Sequence, residues 1–593
     1  MKRTILYSLL CAGIATATFS SCEDMFGSFL DKQPSNELTE EQVFSDWNLT
    51  VQFHYDTYNY LRHGAGRINN TWLDAATDLA ETSYTGGVKT TFNIGNYYGG
   101  DGVPELTDTW EHYYRGIRKC NMTLTRIDSV PKEPSLSKEQ YQNDKLNYKS
   151  EARFLRAYFY WEMFLRYGPV PIVTEVLDPY GDLMSGYTTR PTVKEFVTDF
   201  LLKELKECED GLLSYDDAWA SSRAGRVGKP AARALYARIM LYMASPRYAK
   251  ESGITWRQAA DAAKSFIDDY GTPHFALFGE ETGGKSSYTN ALLRTAYQGN
   301  NPEVIFYRND TPVGWSAIAN DTPIGEGGSG GLCPSQNLID LYDMADGQSP
   351  FLHYDVTGAP VYGSGGATPA INAASGYDDA HPWKGRDPRL EATVLHQGSK
   401  WGEGTINVIR GQRDNMIGNT NATPTGYYVR KYIPESILSD NHSQTAYRLW
   451  TIIRYAEILL DYAEALNETD GPTAEVCALL DRVRHRAGIS GSVADRADLK
   501  TREAMRNFIH KERTVELAFE EHRAWDVRRW NCAVEALGRP IYGISVSADG
   551  TATRKVAQQR VFEEKMYLYP IPEAETWKVP MLPNNPGWGK KQN

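Results

Sequence analysis

The chain has 593 residues, enough for one large domain or two ordinary ones, and its 41% hydrophobic and 23% charged residues are the composition of a folded globular protein. A formal net charge of -12 argues against nucleic acid as a partner, because phosphate backbones are held by clustered basic surface. No uninterrupted apolar run reaches the ~20 residues of a membrane-spanning helix.

At the amino terminus Lys2 and Arg3 precede an apolar segment from Ile5 to Phe19, then Ser20, Ser21 and Cys22. This is the layout of a secretory signal over residues 1–21, which is set aside from the fold. Two processing routes fit. Ala15-Thr16-Ala17 suits ordinary cleavage and release. Phe19-Ser20-Ser21-Cys22 resembles a relaxed bacterial lipobox, which makes Cys22 the lipidated first residue of an anchored protein.

Thr39 is placed to cap a helix starting at Glu40-Glu41, and a helical pattern runs on through Trp47, Val51 and Tyr55. From Gly64 to Glu105 loop chemistry takes over. Tyr84, Tyr97 and Tyr98 sit among glycines there, which makes them poor core material and candidates for ligand contact. Trp110, Tyr113, Tyr114, Ile117 and Asn121 restore helical spacing. Tyr148 to Tyr167 is aromatic almost all round and predicts a buried helix stopped at Gly168-Pro169. Thr192 caps a further helix reaching Leu213, Pro230 opens one over Ala231 to Ala244, and Trp256 to Tyr270 carries small residues on its packing face. These pairs have about the length of tetratricopeptide-type units, without a strict consensus.

Between Gly271 and Gln444 the helical signal lapses, apart from one strand candidate, Val304 to Tyr307. So long a loop-rich span is usually functional. Its Trp315, Trp383 and Trp401 join the early tyrosines as aromatics on loops. Sugar rings stack on such rings, while nearby Asp, Asn and Arg bind hydroxyls. Regular structure then returns. Trp450 to Asn467 reads as one amphipathic helix, and a second, through Val476 and Leu480 to Gly488, makes an αα-hairpin with it. Thr501 to Trp530 is helical, and the C-terminus is coil punctuated by proline. The chain thus divides into an N-terminal helical part (about 22–270), a loop-rich ligand region (about 271–444) and a C-terminal helical part (about 445–593).

Two motifs imitate catalytic sites. Gly279 to Ser286 satisfies G-x-x-x-x-G-K-[ST], but Glu280 and Glu281 put negative charge where a phosphate would sit, and the strands of a nucleotide fold are missing around it. Gly327-Gly328-Ser329-Gly330-Gly331 matches G-x-S-x-G without the strand before and helix after that a nucleophile elbow needs. The seven cysteines form no C-x-x-C, and the last five read as isolated buried thiols. No paired-histidine metal spacing is present, and neither a metal nor a cofactor is expected. A carboxylate pair of the glycosidase type remains open on sequence grounds.

Several stretches together resemble one family. They are FLDKQP after the signal, W-x-x-Y-Y-x-x-I at Trp110 to Ile117, RDPRLEATVL from Arg386 and TGYYVRKY from Thr425. WTIIRYAEILLDYAEALNE from Trp450, KERTVELAFEEHRAWDVRRW from Lys511, and YLYPIP with NNPGW at the end complete the set. All resemble the SusD/RagB family. The resemblance implies a mostly α, SusD-like fold with tetratricopeptide-like helix pairs and a large loop-rich ligand-binding region. It implies a non-enzymatic, surface-exposed lipoprotein of the Bacteroidetes outer membrane, anchored through Cys22, an assignment to which the acidic Glu23-Asp24 pair adds weight. Such a protein captures oligosaccharide or polysaccharide, or in RagB-like members peptide, and delivers it to a SusC-like TonB-dependent transporter. Carried over by position, Asp78, Tyr97 or Tyr98, and Trp315 fall at ligand positions; with Tyr84 and Trp383 they make up the expected glycan-binding set. A secreted hydrolase is the competing expectation.

Overall fold

The computed structural model describes residues 38–589, apart from 179, 182–186, 219–222, 294–300, 309, 364–367, 403 and 438. Cys22 and the signal segment lie outside the described residues. The fold is mostly helical, and sequence-local chemistry sets many helix ends. Helix α1 (Trp47–Asp56) takes its N-cap from Asp46, and Thr39 caps the short turn before it. Helix α2 (Pro104–Arg126) packs against α3 (Lys138–Tyr167). Helix α3 starts ten residues before its aromatic stretch, because Ser137 and Gln140 form a reciprocal capping box. From Phe154 to Tyr167 every residue is buried, as expected for a helix that is apolar all round. The segment opened by Thr192 is a π-helical turn, Lys194–Leu201, running into α4 (Leu202–Glu209).

Helix α5 (Lys229–Ala244) and α6 (Trp256–Tyr270) pack together, and α6 packs in turn on α7 (Tyr455–Asp470). Helix α8 (Ala474–Ala487) is capped by Thr473 and ends at Gly488, whose φ of 97° is left-handed and costs an L side chain dearly. Helices α7 and α8 form the expected hairpin. The five cysteines from Cys120 to Cys532 are free and buried.

Three expectations change. Trp450–Arg454 is not the first turn of a helix but a strand, paired antiparallel with Val304–Arg308. Thr451, Ile452 and Ile453 are β-branched and lose rotamer freedom in a helix. A partner strand is at hand, so the ladder wins and α7 begins at Tyr455. Residues 501–530 also split, into α9 (Arg502–Glu516) and α10 (His522–Arg529). At the break the Glu516 carbonyl accepts from Tyr288, Lys431 and Arg454 rather than continuing a helical ladder. Phe519 and Glu521 adopt left-handed φ values of 64° and 66°. A β-hairpin, Ile541–Val546 with Ala552–Gln558, also stands where no strand was expected.

Many acids and bases of α7 to α10 and of the strand before them are buried. Arg454 reaches Glu303, Glu516 and Glu520 at 2.6, 2.7 and 2.7 Å. Arg389 reaches Asp387, Glu512 and Glu516 at 2.7, 2.6 and 2.9 Å. Arg486 bridges Glu303 and Glu516, while Arg484 and Lys511 both hold Asp343. All of these side chains are buried. Glu303, Asp343, Asp387, Arg389 and Lys431 belong to the loop-rich span, so helices supply charges and irregular chain supplies counter-charges. Buried ions are costly unless every donor and acceptor is matched. Here the matching fixes the path of a segment that little secondary structure holds.

Candidate functional site

The expected site residues do not come together as one set. Asp78 is buried, and its two oxygens accept from Arg523 at 2.9 and 2.7 Å. Burial pushes its carboxyl up, but Arg523 outweighs burial and holds it below the usual carboxylate range. Asp78 is therefore a clamp between the early loops and α10, not a group a ligand can reach. Tyr97 is also interior. Phe92 stacks on it at 4.7 Å and 11°, and Trp588 packs at 5.1 Å. Its ring has no face left for a sugar. Tyr98 is half-buried beside the C-terminal coil, where Glu573 donates its amide to the Gly99 carbonyl and the Tyr98 amide is tied to Asp101. Trp401 is buried, and Trp383 stacks on His396 at 5.0 Å and 15°.

Tyr84 and Trp315 lie on segments that a hydrogen bond joins. Both are half-buried. Trp315 opens a single helical turn, Trp315–Ile318, and the Tyr84 hydroxyl donates to the Asn320 carbonyl just after it at 2.9 Å. Burial pushes the Tyr84 hydroxyl up, which keeps it a neutral donor. The turn is pinned from below. Asp321 accepts from the buried Trp72 indole at 3.0 Å and from Arg448 at 2.9 Å, and Arg448 also donates to the Ala317 carbonyl at 3.1 Å. The early loop is laced to the same segment, with Ser83 donating its hydroxyl to the Ser329 carbonyl and its amide to the Gly331 carbonyl, each at 2.9 Å.

The glycine run 327–331 now has a physical reason. A Cβ at Gly328 would stand 2.1 Å from the Thr322 carbonyl oxygen, and one at Gly331 would stand 2.3 Å from that of Asn320. Backbones approach too closely here for any side chain. This is the packing of a loop, not a nucleophile elbow. The other imitation motif resolves likewise. The Gly283 amide bonds the Gly279 carbonyl and the Gly284 amide bonds the Arg486 carbonyl, while Glu280 pairs with Arg482 at 2.7 Å. Amides that would cradle a phosphate are already used.

The surroundings of Trp315 hold residues that periodicity could not reveal. The Trp315 ring lies against Gly327. Next to it Glu326 pairs with Arg413, and the Asn407 amide donates to Asp414 at 2.8 Å. Met416 and Ile417 are exposed on the same loop as Arg413. Among the described residues, no group of three or more His, Cys, Asp or Glu side chains is arranged to hold a metal ion, and no helix is long and apolar enough to cross a membrane.

The profile of the SusD family matches residues 290–588, and a second profile, described as starch-binding associating with outer membrane, matches residues 28–241. The chain belongs to the SusD family. Trp315 falls in the first matched part and Tyr84 in the second. A SusD-like protein of Formosa agariphila is 23% identical over 547 residues, covering 90% of this chain and 92% of its own. Another from that organism is 32% identical over 165 residues, 27% of this chain and 30% of its own. A SusD-like protein of Bacteroides fragilis superposes with a TM-score of 0.74 at 25% identity, over 94% of this chain and all of that one. A second structure from that species, described as a SusD-like carbohydrate-binding protein, gives 0.71 at 22% identity, over 91% of this chain and all of that one. The mostly α, SusD-like architecture expected from the sequence is thereby established.

Proposed function

We propose that this SusD-family protein captures oligosaccharide or polysaccharide on the face formed by Tyr84 and Trp315 and delivers it to a SusC-like TonB-dependent transporter. In this reading it is a surface-exposed lipoprotein of the outer membrane, anchored through Cys22. The observation that carries the binding role is the hydrogen bond that joins the segments bearing two half-buried aromatics, Tyr84 and Trp315, the second segment being held in place through Asp321. Rings so held lose little conformational entropy when a sugar stacks on them. Polar groups at the rim, Asn320, Glu326 and Arg413, are of the kind that orients hydroxyls. Two carboxylates near the face are engaged with protein donors, Asp321 with Trp72 and Arg448 and Glu326 with Arg413, while Asp414 accepts from the Asn407 amide on one oxygen only and burial raises its carboxyl. That favours capture over hydrolysis, which needs one carboxyl poised as acid and another as base or nucleophile.

Incubating the pure protein with a panel of polysaccharides and protein digests tests the reading. Retarded migration in a polysaccharide gel without released reducing ends is the expected result. Reducing-sugar release would make the protein a hydrolase, and binding to peptides alone would make it a RagB-like peptide carrier.

A further inference from the structure

Residues 407–421 form a loop that touches both segments bearing the candidate aromatics. A Cβ on Gly330 would stand 2.4 Å from the Asn421 carbonyl oxygen and 3.2 Å from the Ser83 hydroxyl, so Asn421 lies beside the residue that precedes Tyr84. Elsewhere on the loop Arg413 pairs with Glu326, whose neighbour Gly327 lies against the Trp315 ring. The Tyr84 and Trp315 segments therefore have one loop in common.

The loop is ordered by its own hydrogen bonds. The Asn407 amide donates to the Asp414 carboxylate at 2.8 Å, and the Asp414 amide donates back to the Asn407 carbonyl at 3.1 Å. The Gly411 amide reaches the Asn415 carbonyl at 2.8 Å, and the Asn415 side chain reaches the Val408 carbonyl at 2.9 Å. The Tyr428 hydroxyl fastens the Asp414 carbonyl at 2.6 Å. A loop ordered in advance loses little entropy when a ligand binds.

Its side chains are amides more than charges. Asn407, Gln412, Asn415, Asn419 and Asn421 stand within it, and Gln412 and Asn419 are exposed. The Asn419 side-chain oxygen accepts from the Asn421 amide at 2.9 Å. Its N–H₂ has no partner among the described residues, and neither has the Gln412 carboxamide. The charges nearby are engaged with each other: Glu326 holds Arg413, and Asp321 holds Arg448. Residues 311–334, which carry Trp315, contain no lysine or arginine, and residues 82–87, which carry Tyr84, contain no charged residue. Arg410 is the one base of the loop without an ion pair among the described residues.

This chemistry discriminates between classes of glycan. An acidic polysaccharide repeats its charge along the chain and needs free bases in series. It would also approach a protein of net charge -12. Salt screens that repulsion beyond about 8 Å, so the local shortage of free bases decides. A sugar hydroxyl both donates and accepts, and a carboxamide matches it on both counts. We infer that loop 407–421 selects an uncharged glycan, whose hydroxyls are read by Gln412 and Asn419 while Arg413 stays with Glu326. The inference rests on the capture role proposed above and names its ligand class.

Isothermal titration calorimetry of the full mature protein tests it. The neutral probes are amylopectin, xyloglucan, galactomannan and laminarin; the acidic ones are polygalacturonate, alginate and chondroitin sulfate. At least one neutral polysaccharide should bind, and every acidic one should bind at least about 10-fold more weakly. Gln412→Ala combined with Asn419→Ala should weaken the neutral ligand by about 5-fold or more, the loss of two ordinary hydrogen bonds. Both side chains are exposed, so that loss reads contact rather than unfolding. The inference is overturned if an acidic polysaccharide comes within about 10-fold of the best neutral one, or if the amide double variant loses less than about 5-fold. The same titrations on Tyr84→Ala combined with Trp315→Ala keep the two readings apart. An acidic ligand that binds the parent and is lost in this variant overturns the uncharged class and leaves the capture role standing. Binding of no polysaccharide overturns both.

Discussion

Glu516 probes the buried ion network that holds the loop-rich span. Glu516→Gln keeps the shape and removes the charge. One carboxylate oxygen accepts from Arg454 at 2.7 Å and from Arg486, and the other accepts from Arg389 at 2.9 Å. Burial alone would raise this carboxyl, yet Arg486, Arg454 and Arg389 hold it far below the usual range. Glutamine keeps one acceptor oxygen but turns an N–H₂ toward a guanidinium, which cannot accept. Each arginine retains another acid: Glu303 and Glu520 for Arg454, Glu303 for Arg486, Asp387 and Glu512 for Arg389. The cost is therefore that of one broken buried pair rather than three, about 3–5 kcal/mol. Glu209→Gln is the control. Glu209 pairs with Arg233 at 2.5 Å but is partly exposed, and its loss should cost about 0–1 kcal/mol. Urea denaturation at pH 7, followed by tryptophan fluorescence, measures both. A loss below about 1 kcal/mol for Glu516→Gln, or equal losses for the two variants, would refute the reasoning.

Other residues make independent tests. Asp74 is buried, neither of its oxygens has a hydrogen-bond partner among the described residues, and burial with the nearby Glu521 charge raises its carboxyl to about 7. The folded state then holds this proton more tightly than the unfolded chain between roughly pH 4 and 7, so its contribution to stability falls across that window. Asp74→Asn should gain on the parent as pH rises from 4 and level off above 7; a pH-independent difference in denaturation midpoint would count against it. Asp321→Ala, which leaves the Trp72 indole and Arg448 without their acceptor, should lower stability by about 1–3 kcal/mol and weaken polysaccharide retardation without touching ligand. Full-strength retardation would show that the pin is dispensable. Cys22→Ala should move the protein from the membrane fraction to the soluble one, and continued membrane retention would remove the lipid anchor from the account.

Much of the scaffold was legible because its signals are local. Thr39 caps the turn after it through the amide three positions on, Pro230 stands in the first turn of α5, and Gly488 ends α8 through its own φ, whereas the equally local Ser137 cap of α3 was missed. Legibility failed where a distant segment decided the outcome. Trp450 to Arg454 has helical spacing with the residues after it, but Val304 to Arg308 offers it a ladder. Tyr97 sits near glycines as a loop residue should, yet Phe92 and Trp588, the latter at the far end of the chain, enclose it. Asp78 was expected near an acidic ligand position, but Arg523 claims both its oxygens. Tyr84 and Trp315 were each visible as aromatics on loops. The hydrogen bond that links their segments, and Asp321 behind the second one, needed contacts that no sequence pattern encodes.

The central claim is that glycan is held on the face formed by Tyr84 and Trp315. Affinity electrophoresis of Trp315→Ala with Tyr84→Ala, beside the parent and Trp383→Ala, tests it most directly on whichever polysaccharide retards the parent. Two stacking contacts at about 0.5–1.5 kcal/mol each predict roughly a 5- to 140-fold loss of affinity in the double variant, with Trp383→Ala unchanged. Parent-like retardation of the double variant would contradict the claim.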